Sequence, residues 1–321
     1  MQDNLTQNRK TDIICIGMAL VDSIIKGFDP EPISASGFRA VSGTLNVGGE
    51  AVNEATAAAR LGMRTSILCT LGQDSAGDMV LQDLEKNNVN TEPVIRSKEH
   101  PTPVTTMFVN DDGTRKSITN LSHKYNFHPE KYTEVLSDTR AIILGSLFRA
   151  PFDDPEIILK VLTDAKKADV MIIADTKLPN FRKLSLDDIK DSLPLIDYIT
   201  PNEDEAKYFT GKTEPEEMAD VFLGYGVKNV IVKLGSKGCL FKNREKTLKY
   251  SAFDIEVVDA TGAGDNFVAG LTAELLRGAC IEEAILFANS CGAICTTAVG
   301  AGTALVNRDQ VLDFIKSKNC L

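Results

Sequence analysis

The feature that most constrains this chain is a rhythm of two kinds of segment. Short apolar runs at residues 13–17, 66–72, 141–147, 169–175, 198–201 and 229–234 alternate with longer stretches, at 50–61, 76–86, 155–168 and 215–223, whose apolar residues recur at helical spacing. The runs are rich in Ile, Val and Leu and mostly lack polar alternation, the pattern of strands buried on both faces. Such strands need a helical layer on each side, and strand–helix–strand repetition provides both layers. The expected fold class is α/β: a doubly wound, mainly parallel sheet flanked by helices.

Two stretches break the rhythm. Residues 102–121 read as a hairpin, with strands at 105–109 and 115–119 joined by a turn at Asp111, Asp112 and Gly113. Residues 24–47 carry further strand-like segments. Together they are expected to form a small β element, discontinuous in sequence, that lies as a lid over the carboxyl ends of the sheet, where open α/β folds place ligands. A surface hairpin with no such role is the plainer alternative. Residues 1–11 read as a loose tail, and 12–321 as a single α/β domain carrying the lid. A chain of 321 residues can bury its core without disulfide or metal staples.

Composition narrows the partners. Thirty-five Lys and Arg against 45 Asp and Glu give a formal charge of −10, which argues against nucleic acid as the main partner. It leaves a small phosphate ligand open, because backbone amides can build such a site. The seven cysteines are odd in number and form no CxxC, so neither a disulfide framework nor a zinc ribbon is indicated. His100, His123 and His128 lack ligand spacing. The polar N-terminus has no apolar core of a signal peptide, and no apolar run reaches the roughly 18 residues of a membrane span. The expectation is a reduced, cytoplasmic protein with no membrane partner.

The string that carries chemistry is DATGAGDNF, residues 259–267. A strand at 255–258 is expected to run into it and an amphipathic helix at 266–277 to follow. Gly262 and Gly264 would leave backbone N–H groups unobstructed at the helix N-terminus, an anion site by geometry and by dipole. Asp265 beside such a site would repel phosphate. Its useful role is to accept the proton of a hydroxyl that attacks phosphorus. The alternative is that Asp265 caps the helix and the glycines make the turn. There is no GxxxxGK[ST], and the glycine-rich turn lies too far toward the C-terminus for an early dinucleotide fingerprint.

With these residues in hand, the chain resembles the ribokinase-like (PfkB) carbohydrate kinase family. DATGAGDNF matches the family's C-terminal signature. Gly48, Gly49, Glu50 and Asn53, followed by AAARLG, match the N-terminal one. LGQDSAGD (71–78), TPNEDEA (200–206), KLGSKG (233–238), FANSCGA (287–293) and VGAGTA (299–304) fall in the family's order. The resemblance runs from about residue 12 to about residue 315. It implies ATP-dependent phosphorylation of a sugar hydroxyl, with Asp265 as general base and the backbone of Gly262, Ala263 and Gly264 holding the γ-phosphate.

The resemblance assigns further roles. Asp22 would accept hydrogen bonds from sugar hydroxyls, and Gly48, Gly49 and Asn53 would line the substrate segment. Asn202 and Glu205 match an NxxE motif in which the glutamate acts on Mg2+ through water. Lys233, Gly235, Ser236 and Gly238 match the nucleotide loop, and Asn289 a position near the adenine. Lys233, where many relatives have Thr, would add charge near the phosphates or simply end its strand in solvent. Asp259 and the backbone of 299–304 correspond to a monovalent-cation site. Ala304 replaces a serine common there, so a K+ ion would rest on backbone carbonyls. Lys177 replaces an Asn and would reach a phosphate or stand in solvent.

Glu50 lies where relatives that act on phosphorylated sugars tend to carry a basic residue, which points to a non-phosphorylated sugar or a sugar acid. Leu20 stands where ribose-directed members often have Asn. For a sugar acid, Arg39, Arg115 and Lys116 are candidate cationic partners. Two other readings stay open: a nucleoside kinase, in which Phe38, Phe108 or Phe148 would stack on a base, and a sugar-binding regulator without chemistry. Exposed lid strands would pair across a homodimer.

Overall fold

The apolar runs stand side by side because each strand serves two cores at once. The computed structural model describes residues 9–27, 40–109, 115–120 and 127–318. Its large sheet contains β1 (Thr11–Ile16), β4 (Thr65–Leu68), β9 (Thr139–Leu147), β10 (Met171–Thr176), β11 (Tyr198–Ile199), β12 (Asn229–Lys233), β13 (Cys239–Asn243) and β14 (Thr247–Tyr250). They run in the order β14-β13-β12-β11-β10-β9-β1-β4. Pairing is parallel from β4 to β12, and β13 and β14 join antiparallel.

Strand side chains alternate between the two faces. Ile13, Cys15, Ile143 and Ile231 enter one core, and Ile14, Ile16, Ile142 and Val230 the other. The first core is covered by α1 (Glu50–Arg60), α2 (Ser75–Lys86), α6 (Ala263–Leu276), α7 (Ile281–Cys295) and α8 (Arg308–Ser317). The second is covered by α3 (Pro155–Lys167), α4 (Glu203–Thr210) and α5 (Pro215–Gly224). This is the doubly wound arrangement the rhythm predicted.

A separate four-stranded sheet has the order β3-β2-β7-β8, from β2 (Leu20–Lys26), β3 (Ser42–Gly48), β7 (Val104–Val109) and β8 (Arg115–Thr119). It begins at Leu20, four residues before the expected lid boundary, so Asp22 belongs to this sheet rather than to a loop of the large one. Its register places Leu45, Ser23, Thr106 and Ile118 in one cross-strand row. Asp22, Asn46 and Thr105 share the opposite face, because neighbouring residues of a strand point to opposite sides. A third, two-stranded sheet pairs β5 (Thr70–Gly72) with β6 (Ile95–Ser97).

Several expectations need correction. Residues 9–11, expected in the loose tail, are tied to the body: β1 opens at Thr11, and Arg9 donates to the carbonyls of Thr139 and Ala168, while residues 1–8 lie outside the described residues. Residues 255–258 form no strand; Val257 and Val258 are exposed, and the Val258 and Asp259 amides tie back to Thr296 O. The helix after the motif starts at Ala263 and is not amphipathic. Every residue from Asp265 to Glu274 is buried, because α6 lies between α1 and α7. The turn at 111–113, Phe38, Arg39, His123 and Cys320 lie outside the described residues. Cys15, Cys69, Cys239, Cys291 and Cys295 are buried free thiols, and Cys280 is exposed. Among the described residues, no helix is long and apolar enough to cross a membrane.

Candidate active site

The motif residues gather at the carboxyl ends of β10 and β12, against the N-termini of α1 and α6. Gly262 is the N-cap of α6 at φ 78, and no side chain caps the helix. A Cβ on Gly262 would lie 2.3 Å from that of Ala301, so both the turn and the close approach require glycine. The first-turn amides are thus left without a capping side chain, the Ala263 amide reaching only the Ala260 carbonyl at a long 3.3 Å, and the positive end of a helix dipole attracts an anion. Asp265, in that first turn, does not cap. Its Oδ2 accepts a hydrogen bond from Asn53 Nδ2 at 2.7 Å. Burial pushes its carboxyl up to about 6, opposed by Lys177 and the Asn53 hydrogen bond and reinforced by Glu50 and Asp175.

Two lysines reach this region from the sheet. Lys233, at the end of β12, donates to Asp175 Oδ1 at 2.6 Å, and Thr200 donates to the same oxygen at 2.7 Å. A Cβ on Gly264 would sit 3.1 Å from Lys233 Nζ, which puts the ammonium directly over the glycine turn. Of the two expected roles for Lys233, the solvent cap is therefore set aside. Lys177 pairs with Glu50 at 3.7 Å. Burial lowers its proton affinity, but Glu50, Asp265, Asp175 and Glu205 more than offset this and hold it charged.

Asn202 and Glu205 build a capping box at the start of α4. Asn202 accepts from the Glu205 amide, and Glu205 Oε2 accepts from the Asn202 amide at 3.0 Å. The same Oε2 accepts from Thr176 at 2.8 Å. Burial and Asp175 raise the Glu205 carboxyl, against Lys233 and these hydrogen bonds.

The substrate segment meets the second sheet here. A Cβ on Gly48 would lie 2.5 Å from Asp22 Oδ2, and one on Gly49, at φ 102, would lie 2.4 Å from Met18 O. Burial and the nearby Glu50 raise the Asp22 carboxyl. Beyond β12, Gly235 and Ser236 form an exposed turn that Gly238 closes, and Asn289 on α7 donates to Cys239 Sγ at 3.6 Å. Asp259 is tied into the opposite loop: Oδ1 accepts from Thr261 and Oδ2 from the Gly300 amide at 3.0 Å. The Ala304 carbonyl accepts from Gln310 Nε2.

Three expected residues stand elsewhere. Phe148 is fully buried and stacked on Phe209 with ring centroids 3.9 Å apart, so it offers no face to a base. Phe108 and Lys116 share a row with Ile25, on the face of the second sheet opposite Asp22. The sequence reading passed over Glu54, a buried acid beside Asp175 and Asp265. Its signal was available, since residue 54 falls three after Ala51 and four before Ala58 on the buried stripe of α1.

The geometry can be set against known proteins. The pfkB family carbohydrate kinase model matches residues 10–308. The chain belongs to the pfkB family of carbohydrate kinases. The ribokinase of Haemophilus influenzae is 27% identical over 277 residues, covering 84% of this chain and 87% of that protein. The structure of Arabidopsis thaliana ribokinase complexed with ribose and ATP superposes with a TM-score of 0.84 at 26% identity, covering 95% of this chain and 99% of that one. An E. coli structure in complex with ATP and Mg2+ gives a TM-score of 0.79 at 26% identity, covering 96% and 99%. Other relatives of this pfkB kinase are named ATP-dependent 6-phosphofructokinase, fructokinase and 2-dehydro-3-deoxygluconokinase, so family membership alone spans several sugars.

Proposed function

We propose that this kinase transfers the γ-phosphate of ATP to a hydroxyl of a small non-phosphorylated sugar or sugar acid, with Asp265 as the general base. The observation that carries the reading is the placement of Asp265. It is buried in the first turn of α6, next to uncapped amides, with its proton affinity poised near 6. A carboxylate there takes the proton of the attacking hydroxyl as its oxygen closes on phosphorus. The amides of Gly262, Ala263 and Gly264 receive the charge that develops on the phosphoryl oxygens, and ADP leaves on the far side. Lys233 and Lys177 add positive charge at this end of the pocket.

Mg2+ bound with ATP neutralises the phosphates and keeps much of its water shell. Glu205 fits a water-mediated role. Its Oε2 is taken by Thr176 and the Asn202 amide, which would leave Oε1 for such a water. Asn202, Gly235, Ser236, Gly238 and Asn289 border the nucleotide side, and Asp22, Gly48, Gly49 and Asn53 the sugar side. A K+ ion near Asp259 would share its carboxylate oxygens with the Thr261 and Gly300 donors. Asp22 and Glu50 favour a polyol over a phosphorylated sugar, whose charge they would repel.

The second sheet would act as the lid, with the Asp22 face inward. Its outer face exposes Leu45 and Ile118 in one row, 61% and 66% accessible, and a second copy of this chain would cover them in a homodimer. The nucleoside-kinase alternative is disfavoured by the positions of Phe108 and Phe148. An ADP-release assay with ketoses, aldoses, sugar acids and nucleosides tests the reading. Turnover with a sugar or sugar acid is expected. Preference for a nucleoside would overturn the substrate class, and thermal stabilisation by a sugar without ADP release would make the protein a regulator.

A further inference from the structure

Glu54 is 0% exposed, and neither of its carboxyl oxygens receives a hydrogen bond among the described residues. It is also aimed at the reacting region. One carboxyl oxygen each of Glu54, Asp175 and Asp265 lie within 4.8 Å of one another. The fold leaves room for it: a Cβ on Gly145 of β9 would sit 2.5 Å from Glu54 Oε2.

Three carboxyls this close cannot all be charged in a buried place, so a cation or a proton must be held among them. Two of the three are equipped for charge. Asp175 receives Lys233 and Thr200 on one oxygen, and Asp265 receives Asn53 and feels Lys177. Glu54 has no donor. Burial, then Asp265, Asp175 and Glu50, raise its carboxyl well above the ordinary range, and Lys233 opposes them. On the neighbouring β1, the buried thiol Cys15 is held neutral by burial. The Lys233 ammonium already occupies the cation place on Asp175, which argues for a proton rather than a metal ion.

We infer that Glu54 is the protonated member of this three-carboxyl cluster, and so adds no negative charge beside Asp265, the base, and Asp175, the anchor of Lys233. The inference rests on the reading of Asp265 as general base. In the resting enzyme no proton leaves Glu54. It stays neutral while Asp265 takes and releases the substrate proton.

The variant Glu54→Gln is neutral at every pH and nearly the same size. In the full-length enzyme it should keep kcat/KM within about threefold, and the acid limb of the pH profile should stay within about 0.3 unit of wild type. A downward move of that limb by about 0.5 unit or more would mean that Glu54 is charged in the wild type and would overturn the inference. So would a loss of turnover beyond about 30-fold in a variant that melts normally. Infrared spectroscopy supplies a reading free of activity: wild type should show a protonated-carboxyl C=O band that Glu54→Gln lacks. Absence of that band would overturn the inference, as would nucleotide-free Mn2+ binding that Glu54→Gln abolishes. If no sugar is turned over at all, the kinase reading fails while the infrared result still decides where the proton is.

Discussion

Asn53 Nδ2 lies 2.7 Å from Asp265 Oδ2, a contact that joins the helix after the Gly48–Gly49 turn to a helix 212 residues further along the chain. The residue expected to touch substrate therefore also holds the expected base. A hydrogen bond to the ionised form favours that form, so Asn53 keeps Asp265 a weaker proton acceptor than burial alone would make it. In Asn53→Ala the base should titrate higher. The acid limb of kcat/KM should move up from about 6, and KM for the sugar should rise, as measured in a pH series at saturating ATP.

Asp265→Asn keeps the shape and removes the proton acceptor. Turnover should fall by about 10²–10⁴-fold, the usual worth of a general base. ATP binding, read by calorimetry, should change little because the first-turn amides of α6 are untouched. Near-normal turnover in this variant would remove Asp265 from the mechanism.

Lys177→Met tests the electrostatics with a definite sign. Lys177 lowers the proton affinity of Asp265, so its loss raises it. Activity should drop most at pH 6 and partly recover at pH 8, where the base is ionised in both enzymes. A uniform loss across that range would instead assign Lys177 to binding alone.

Acid stability should depend on Asp12, far from the site. Burial would raise this carboxyl, but hydrogen bonds from Arg64 and Arg140 more than offset it and hold it at about 2, below its ordinary 3.8. A group depressed in the folded state stabilises above its unfolded value, and that stabilisation is lost as pH falls from near 4 toward 2. Asp12→Asn should lower the melting temperature at pH 7 and narrow its gap to wild type at pH 2.5, as followed by circular dichroism.

The outer row of the second sheet makes a prediction about assembly. Leu45→Asp with Ile118→Asp should convert a dimer to a monomer in light scattering, with ADP release retained in part. A wild-type monomer at micromolar concentration would exclude the proposed pairing.

Much of this was legible in one dimension. The doubly wound sheet followed from Ile- and Val-rich runs because a strand buried on both faces cannot be polar on either. The glycine turn at 262–264 was legible because a backbone that must approach another surface closely leaves few residue choices. The strand at 255–258 was misread because four apolar-leaning residues specify neither burial nor a pairing partner, and here Val257 and Val258 find neither.

What periodicity could not contain is which charges meet. Lys233 sits at the end of a strand and Asp175 at the end of another, 58 residues apart, and their pairing depends on β11 standing between them. Glu54 looked like one more polar residue of a helix, and only the packing of α1 against β9 and α6 made it a buried acid among acids. The sequence by itself determined the fold class, the glycine turn and the family, because those rest on local pattern and on steric limits of the backbone. The tertiary structure decided which charged groups meet around Asp265, Lys233 and Glu54, because electrostatic energy in a buried site depends on distances between groups that the chain keeps far apart.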